Sequence, residues 1–378
     1  MAVIAAVTGA PACDPAPGEP SAAGLPQVSS VTPAPTGPSS GSAAASAASS
    51  AGGARALKQV TLEDKAMGTQ VVITAYTSPD VPEDALKPKL QKAFDEVRRL
   101  EALMTTWRED SEVSRINAAA GKASVALGPE TFAVIGKSLW IARESDGVFD
   151  ITFEAMKGLW KFDEDKLDRI PDKAAVDAAR KLIDWRKIEV DAAARSVRLG
   201  AKQRINLGGI AKGYAVDAAA RVLLAEGLKG FFIRAGGDLY VRGRKPDGHP
   251  FRVGVRDPRH ANPNEFFAMI EVEDHAFSTA GDYERFFIEG GKRYHHIIDP
   301  RTGWPATASR SVTIWAKDAF TADAIDDAVF ILGPERGLAL VESIDDCGAV
   351  IVDAHNKVWM SKRIQDKVFQ THPPTDGI

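Results

Sequence analysis

The sequence predicts an α+β fold, with antiparallel sheets, packed helices and one folded domain that follows a disordered N-terminal tether. Two observations support this prediction. Most predicted strands are joined by short turns, and the helices stand between groups of strands, an order that favours antiparallel sheets over a doubly wound parallel sheet. In addition, one low-complexity stretch separates the first residues of the 378-residue chain from the remainder.

The N-terminal part of the chain reads as two segments. Residues 14–53 contain ten Ala, nine Ser, seven Pro and six Gly, with no aromatic residue and no Lys or Arg. Such a stretch buries too little apolar surface to offset chain entropy, so 14–56 is predicted to be a disordered linker. Residues 1–13 resemble a partial bacterial lipoprotein signal that ends at Cys13, the alternative being an ordinary disordered N-terminus. The folded domain is expected over 57–370.

Charge and cysteine content exclude several classes of protein. The net charge of −4 and the pI near 6.0 give no basic surface for nucleic acid or for an acidic membrane. Cys13 and Cys347 are the two cysteines of the sequence, too few for a disulfide framework or a zinc cage. We therefore expect no nucleic-acid partner, and membrane contact only through a lipid anchor at Cys13.

The elements alternate between hairpins and amphipathic helices. Residues 60–77 read as two strands around Met67-Gly68-Thr69, and 188–199 as a hairpin. A strand is expected to run through Gly208-Gly209 into a helix that reaches about Glu226. Further helices are predicted over 83–104, 129–146, 172–183, 319–332 and 334–343, and closing strands over 350–352 and 357–360.

Three stretches carry candidate chemistry, and the first is the glycine turn Asn206-Leu-Gly-Gly-Ile-Ala-Lys-Gly. Glycines let the backbone approach a ligand closely, and a helix N-terminus offers free N–H groups to an anion. Lys212 adds a cation in the first helical turn. The alternative is that these glycines serve only tight packing between strand and helix.

The second stretch is Tyr294-His-His-Ile-Ile-Asp-Pro-Arg-Thr-Gly. On an alternating strand His295 and His296 point to opposite faces, and Asp299-Pro300 forms a turn beside Thr302. A histidine near a carboxylate can act as a general base, although it can equally be a histidine that a turn carboxylate satisfies.

The third stretch, Thr321-Ala-Asp-Ala-Ile-Asp-Asp, places Asp323 and Asp327 four residues apart on one helix face. Like charges at this spacing repel, so a cation is expected near them. Mg²⁺ takes one or two carboxylates together with substrate phosphates. The alternative is an exposed acidic start of a helix, which the helix dipole favours.

The order of the motifs along the chain resembles the ApbE family, the FAD:protein FMN transferases, over about residues 58–365. The family expectation is an ApbE-like fold that uses Mg²⁺ and FAD. Members transfer the FMN moiety of FAD to a Ser or Thr hydroxyl of a target flavoprotein and release AMP. The resemblance rests on the following stretches: Met67-Gly-Thr, Leu103-Met-Thr-Thr-Trp, Gly147-Val-Phe-Asp, Gly208-Gly-Ile-Ala-Lys-Gly-Tyr, Ala235-Gly-Gly-Asp, Ser278-Thr-Ala-Gly-Asp-Tyr-Glu and His296-Ile-Ile-Asp-Pro-Arg-Thr-Gly.

The same resemblance implies a role for individual residues. His296 would be the base that activates the acceptor hydroxyl. The metal would be held by the backbone carbonyl of Gly209 and by the side chains of Asp323 and Asp327. Contacts to FAD would fall on Met67, Trp107, Val148, Phe149, Asp150, Lys212 and Thr302.

One position departs from the family pattern, and two other functions compete with the transferase. The family usually has Thr where this chain has Asp327, which adds a charge to the metal site. An FAD pyrophosphatase that releases FMN and AMP would use the same base and metal. A non-catalytic, surface-tethered flavin-binding protein would need neither His296 nor the acidic pair.

The family's members are often lipoproteins, so we predict an exported protein anchored by lipid on Cys13 to the bacterial inner membrane and facing the periplasm. A flexible tether of ~40 residues reaches on the order of 35 Å, enough for the domain to meet membrane-bound targets. Cells that express the chain behind a complete signal should incorporate labelled palmitate, and the Cys13→Ser variant should not. An unlabelled protein, or label that survives the substitution, contradicts the anchor.

Overall fold

The computed structural model describes residues Ile4–Ala5, 57–162 and 169–378. The predicted linker over 14–56 and the lipid site at Cys13 lie outside the described residues. Leu57–Ile378 belong to one compact unit. The domain predicted to end at 370 extends further, since the Thr375 hydroxyl and amide both donate to the buried Asp257 carboxylate, at 2.7 and 2.8 Å. None of the helices in the described part of the chain is long and apolar enough to cross a bilayer.

Helices and strands follow the predicted order closely. The α-helices are α1 (Glu83–Met104), α2 (Glu112–Ala118), α3 (Pro129–Glu144), α4 (Lys173–Arg180), α5 (Ala211–Ala225) and α6 (Ala319–Glu342), and short 3-10 helices cover Ile151–Met156, Trp185–Lys187 and Gln365–Lys367. The strands are β1 (Ile4–Ala5), β2 (Gln59–Ala66), β3 (Thr69–Tyr76), β4 (Val125–Ala126), β5 (Glu189–Asp191), β6 (Ser196–Arg198), β7 (Phe231–Ala235), β8 (Asp238–Arg242), β9 (Phe251–Arg256), β10 (Phe266–Val272), β11 (Ala276–Gly281), β12 (Phe286–Glu289), β13 (Lys292–His295), β14 (Ile298–Asp299), β15 (Trp304–Pro305), β16 (Ser309–Ala316), β17 (Cys347–Asp353), β18 (Val358–Met360) and β19 (Val368–Gln370).

An eight-stranded antiparallel sheet forms the centre of the molecule, in the order β18-β17-β16-β11-β8-β7-β3-β2. The sheet confirms the predicted α+β class with antiparallel pairing. A four-stranded sheet, β1-β9-β10-β19, and a three-stranded sheet, β4-β6-β5, lie outside it. Two-stranded hairpins β12-β13 and β14-β15 follow β11 along the chain.

The two faces of the central sheet pack against different layers. Because side chains alternate along a strand, Phe277 and Trp315 point into an apolar core shared with the four-stranded sheet. On the other face Ala276, Ile314 and Ile351 join the main core, which α1, α5 and α6 cover. Ser278 neighbours Phe277 on β11 and therefore faces the helices. The helix side of the sheet is where polar residues of the strands meet α5 and α6.

Helices α5 and α6 are in direct contact at their N-terminal turns. The amide of Gly213 donates to the Asp323 carboxylate at 2.7 Å. On α5, Asp217 accepts from the amides of Ala319 and Phe320, both at 2.9 Å, so it caps the start of α6. These contacts fix the first turns of both helices relative to each other.

A kink divides α6 where the sequence predicts two helices. Gly333 has φ +75° and ψ −177°, outside the helical region, and Pro334 follows it. A left-handed φ suits glycine, and proline cannot continue the hydrogen bonds of the preceding turn. The predicted break between 332 and 334 is confirmed, and the first half of α6 bears the candidate site.

Gly213→Ala should destabilise the fold through this helix contact. A methyl group at this position would lie 2.2 Å from the Ala319 carbonyl oxygen and 2.7 Å from the Cβ of Asp323. We expect a loss of about 1–3 kcal/mol in the free energy of unfolding, measured by urea denaturation. Gly136→Ala in α3 is the matched control, because nothing lies within 4 Å of its added methyl. Equal stability of the two variants would refute the close contact.

Candidate active site

The segment before α5 is an extended loop and not the predicted strand. Both backbone groups of Ile205 bond to the Asn117 side chain. Asn117 Nδ2 donates to the Ile205 carbonyl at 3.0 Å, and Asn117 Oδ1 accepts from the Ile205 amide at 2.8 Å. The amide of Asn206 donates to the Ile151 carbonyl at 3.0 Å. The strand prediction over 204–209 is wrong because a side-chain amide takes the place of a strand partner.

The glycine turn is shaped by side chains of its own loop and of the 3-10 helix Ile151–Met156. Asn206 Oδ1 accepts from the Gly208 amide at 2.7 Å, and Asn206 Nδ2 donates to Glu154 Oε2 at 2.9 Å. Glu154 is only 4% exposed, so its carboxylate is a fixed support. The loop enters α5 at Ile210 with no side-chain cap. At this helix start the Ile210 and Ala211 amides donate to the Leu207 carbonyl at 3.0 and 2.8 Å, and the Gly213 amide donates to the Asp323 carboxylate at 2.7 Å. The predicted anion site would therefore rely mainly on the helix dipole and on Lys212.

Lys212 occupies the centre of the site. Its Nζ lies 3.0 Å from Asp323 Oδ1, 3.2 Å from Asp238 Oδ2 and 3.3 Å from the Gly208 carbonyl. The ammonium of Lys212 therefore provides part of the positive charge that is expected beside the α6 carboxylates. Burial lowers the pKa of Lys212, but the carboxylates of Asp238, Asp323 and Asp326 outweigh burial and raise it, so the ammonium stays charged.

A hydroxyl joins two carboxyl groups beside this lysine. Ser278 Oγ lies 2.7 Å from Asp238 Oδ1 and 2.6 Å from Asp326 Oδ2. A hydroxyl has one proton to donate, so one of the two carboxyl groups must itself carry a proton to complete both bonds. Burial raises the pKa of both acids, that of Asp238 to about 7 and that of Asp326 well above its usual value, and Asp327 raises the pKa of Asp326 further. Asp238 also pairs with Lys212 at 3.2 Å, which favours its ionised form, so Asp326 is the protonated partner.

Asp327 lies at the open side of the same cluster. A Cβ placed on Gly209 would lie 3.4 Å from Asp327 Oδ2 and 3.6 Å from Phe149 Cε2. Gly209, Phe149 and Asp327 therefore lie close together. Burial raises the pKa of Asp327. Because part of this side chain is accessible to water, the carboxylate is the most available of the four for a ligand.

The donor set suits a hard cation. The predicted ligands are two carboxylates and one backbone carbonyl, all oxygen, which Mg²⁺ prefers. Four carboxyl groups face the ammonium of Lys212, so negative charge remains for a cation to neutralise. Within the described ranges no set of three or more His, Cys, Asp or Glu side chains is arranged to hold a metal by itself. A metal here would need backbone and substrate oxygens to complete its shell.

The two adjacent histidines lie in different environments, as predicted. His295 is 3% exposed, its Nε2 donates to the Ala306 carbonyl at 2.8 Å, and its Nδ1 accepts from the Ile297 amide at 3.3 Å. Burial lowers the pKa of His295, so this ring is neutral and structural. His296 follows the end of β13, and its side chain is exposed.

His296 is the histidine that is available for chemistry. Its amide donates to the Arg285 carbonyl at 3.1 Å, which fixes its backbone. Desolvation by the surrounding protein lowers the pKa of the His296 imidazole, and the nearby His295, Arg285 and Lys212 lower it further. Water reaches this side chain, so the desolvation acts less strongly than in a closed core. At neutral pH the ring is neutral and can accept a proton.

Three other predicted ligand residues make local contacts of their own and no direct bond to this centre. Met67 adopts φ +54° at the tip of the β2-β3 hairpin, and its amide donates to Glu101 at 2.6 Å. Trp107 is 84% exposed on the loop between α1 and α2. Thr302 is exposed, and its hydroxyl accepts from the Trp304 amide at 3.1 Å. The Asp299 carboxylate beside it pairs with Arg301 at 2.7 Å, not with a histidine.

Val148 and Asp150 are buried beside Phe149. Asp150 Oδ1 accepts from the Thr152 amide at 2.8 Å and from the Thr152 hydroxyl at 2.6 Å. Its Oδ2 accepts from the Trp185 amide at 2.9 Å. Burial raises the pKa of this carboxyl. These bonds engage both oxygens of Asp150 and hold its carboxylate within the fold.

Asp238 and Ser278 also belong to the site, although the sequence predicts no role for either residue. Both lie in stretches that carry the family resemblance. Asp238 begins β8, and Ser278 lies within β11. Asp326, about 100° around α6 from Asp327, is also buried in the cluster. Side chains alternate along β8 and β11, which turns Asp238 and Ser278 toward the helix layer, and this alternation is the signal that could have found these two residues.

The comparisons with known proteins agree with this arrangement. The ApbE family model matches residues 67–351. The FAD:protein FMN transferase of Treponema pallidum is 31% identical over 332 residues, which is 84% of this chain and 91% of that protein. The enzyme of the same name from Escherichia coli K12 is 29% identical over 82% of this chain and 89% of its own length.

Solved structures show the same fold. A crystal structure of the ApbE protein of Thermotoga maritima has a TM-score of 0.74 and 31% identity, covering 82% of this chain and 99% of that one. The flavin transferase ApbE of Vibrio cholerae has a TM-score of 0.72 at 27% identity, with the same coverage. On the family match, the sequence identity and the shared fold, this chain belongs to the ApbE family.

Proposed function

We propose that this chain is an FAD:protein FMN transferase. The observation that carries the proposal is the convergence of Lys212, Asp323 and Asp327 beside the glycine turn, with His296 close enough for Lys212 to lower its pKa. Curated relatives named FAD:protein FMN transferase extend over nearly the whole folded domain. A lysine at a helix start, an acidic pair and a neutral imidazole are parts that phosphoryl transfer requires.

In this reaction a hydroxyl of the target protein attacks the phosphorus atom of the FMN half of FAD. The new bond joins the hydroxyl oxygen to phosphorus, the pyrophosphate P–O bond breaks, and AMP leaves with the bridging oxygen. The hydroxyl proton passes to His296. A bound pyrophosphate raises the pKa of this imidazole, because a nearby negative charge favours its protonated form. The base thus becomes stronger when the substrate is in place.

The residues of α5 and α6 hold the phosphates and the metal in this proposal. Lys212, in the first turn of α5, places its positive charge beside the pyrophosphate, together with the positive end of the helix dipole. Mg²⁺ would be held by the Gly209 carbonyl, Asp323 and Asp327, and when bound it supplies charge neutralisation to the phosphates. Lys212 also holds Asp323 in position through their 3.0 Å ion pair.

Membrane attachment is the second part of the proposal. Cys13 follows small and apolar residues and precedes the Ala/Ser/Pro/Gly-rich stretch, which supports lipid anchoring and an exported enzyme. Its targets would then be flavoproteins at the outer face of the inner membrane, each carrying an acceptor Ser or Thr. The palmitate labelling described above tests this part separately from the enzymatic activity.

The transfer itself is tested by incubating the protein with FAD, Mg²⁺ and an acceptor flavoprotein domain, followed by intact-mass analysis. The transferase adds the mass of FMN, less water, to the acceptor. An FAD pyrophosphatase would release FMN and AMP and leave the acceptor unmodified. A flavin-binding protein without catalytic function would leave FAD intact.

Replacing His296 should remove the base and spare the fold. We expect His296→Asn to lower the rate of FMN transfer about 10²-fold or more, while FAD binding and thermal stability stay near those of the wild type. His260→Asn is the control, because His260 is an exposed loop residue. His295 is not a suitable control, since its buried hydrogen bond to Ala306 is structural. Transfer at the wild-type rate would exclude His296 from the mechanism.

The α6 carboxylates should differ in their effect on Mg²⁺ dependence. Asp323→Asn should abolish transfer, and Asp327→Thr should retain activity but need more Mg²⁺, because one negative ligand is lost. Asp326→Asn should be tolerated, since an amide can donate to Ser278 as the protonated carboxyl does. The measurements are transfer rate and melting temperature against Mg²⁺ concentration. A crippled Asp326→Asn with an unchanged Mg²⁺ curve for Asp327→Thr would assign the metal to Asp326.

A further inference from the structure

Trp107 is held in place from one side by a lysine. Its side chain is 84% exposed, more than any other large apolar side chain in the described part of the chain. Lys157 Nζ lies over the indole, 4.9 Å from the ring centroid, within the range of a cation–π interaction. With this high exposure, the indole also presents a face to solvent on which a flat ring can stack.

Lys157 is itself fixed by a buried carboxylate. Its Nζ lies 3.0 Å from Glu154 Oε1, and the Glu154 side chain is only 4% exposed. A buried charge needs a partner, so Glu154 holds the ammonium near the protein surface instead of leaving it to solvent. The Lys157 amide also donates to the Glu154 carbonyl at 3.0 Å, which orients the start of the lysine side chain.

The other carboxylate oxygen of Glu154 reaches the glycine turn. Glu154 Oε2 accepts from Asn206 Nδ2 at 2.9 Å, and Asn206 Oδ1 accepts from the Gly208 amide at 2.7 Å. The Gly208 carbonyl in turn accepts from Lys212 at 3.3 Å. One series of contacts therefore extends from the exposed indole to the phosphate side of the site.

We propose that Lys157 and Glu154 are positioning residues for FAD. Lys157 holds the Trp107 indole in the orientation that stacks on a flat ring of FAD, and Glu154 fixes Lys157 relative to the glycine turn that faces the pyrophosphate. The inference rests on the proposed function, because it assumes that FAD is the substrate. Fixing the indole before binding reduces the conformational entropy that the complex loses when it forms.

The effect on affinity follows from the geometry. Loss of one cation–π contact at an exposed ring corresponds to about a three- to fivefold weaker Kd. Loss of the indole itself removes the stacking surface, and we expect an effect of about tenfold or more. If Lys157 acts through Trp107, its substitution has no further effect once the indole is gone, which a double-mutant cycle measures directly.

The experiment measures the Kd for FAD by flavin fluorescence in the variants K157M, W107L and the double variant. We expect K157M to weaken FAD binding about three- to fivefold, and to have no effect in the W107L background. K157R keeps a cation over the ring and should restore wild-type affinity. E154Q should weaken binding in the same direction, and its effect should not add to that of K157M.

Two controls separate positioning from general destabilisation. K173M removes a lysine that is 75% exposed on α4 and should leave the Kd unchanged. Melting temperatures show whether each variant is folded. Undiminished binding by K157M, or a K157M effect that persists in the W107L background, would overturn the positioning role while the proposed function stands. Failure of the wild-type protein to bind FAD would overturn both.

Discussion

The contact between the first turns of α5 and α6 is the constraint on which the site depends. Gly213 lets the two helices meet at a distance that a methyl group would not permit. That approach places Asp323 within reach of both the Gly213 amide and the Lys212 ammonium. Asp217 then caps α6 from the neighbouring helix. A single close approach of two backbones thus supplies a fixed carboxylate, a charged lysine and a capped helix.

Charge compensation completes the same region. If all four carboxyl groups around the Lys212 ammonium were ionised, several uncompensated negative charges would be buried away from water, which costs free energy. The protein lowers that cost by keeping one carboxyl protonated and bonded to Ser278. Lys212 pairs with two of the others. Asp327, at the accessible edge, is left with an oxygen that can serve a ligand.

Local patterns predicted the elements well and the contacts poorly. Helical spacing and turn residues correctly gave α1, α3, α5 and the break at Gly333, because these depend on residues near one another in the sequence. The predicted strand over 204–209 failed because Asn117, 88 residues from Ile205, supplies its hydrogen bonds. The bond between Ser278 and Asp326 spans 48 residues and has no local signal. The ion pair of Lys157 with Glu154 is local, but its link to Asn206 is not.

The central sheet separates the molecule into two halves that tolerate sequence change differently. Residues such as Phe277 and Trp315 point away from the helices into the second apolar core, while Ser278, one residue along, faces the active site. Apolar replacements of similar volume in that second core alter packing energy and leave the charges of the site untouched. Substitutions in the core between the central and the four-stranded sheet can therefore adjust stability, while the residues on the helix-facing side of the central sheet keep the chemistry of the site.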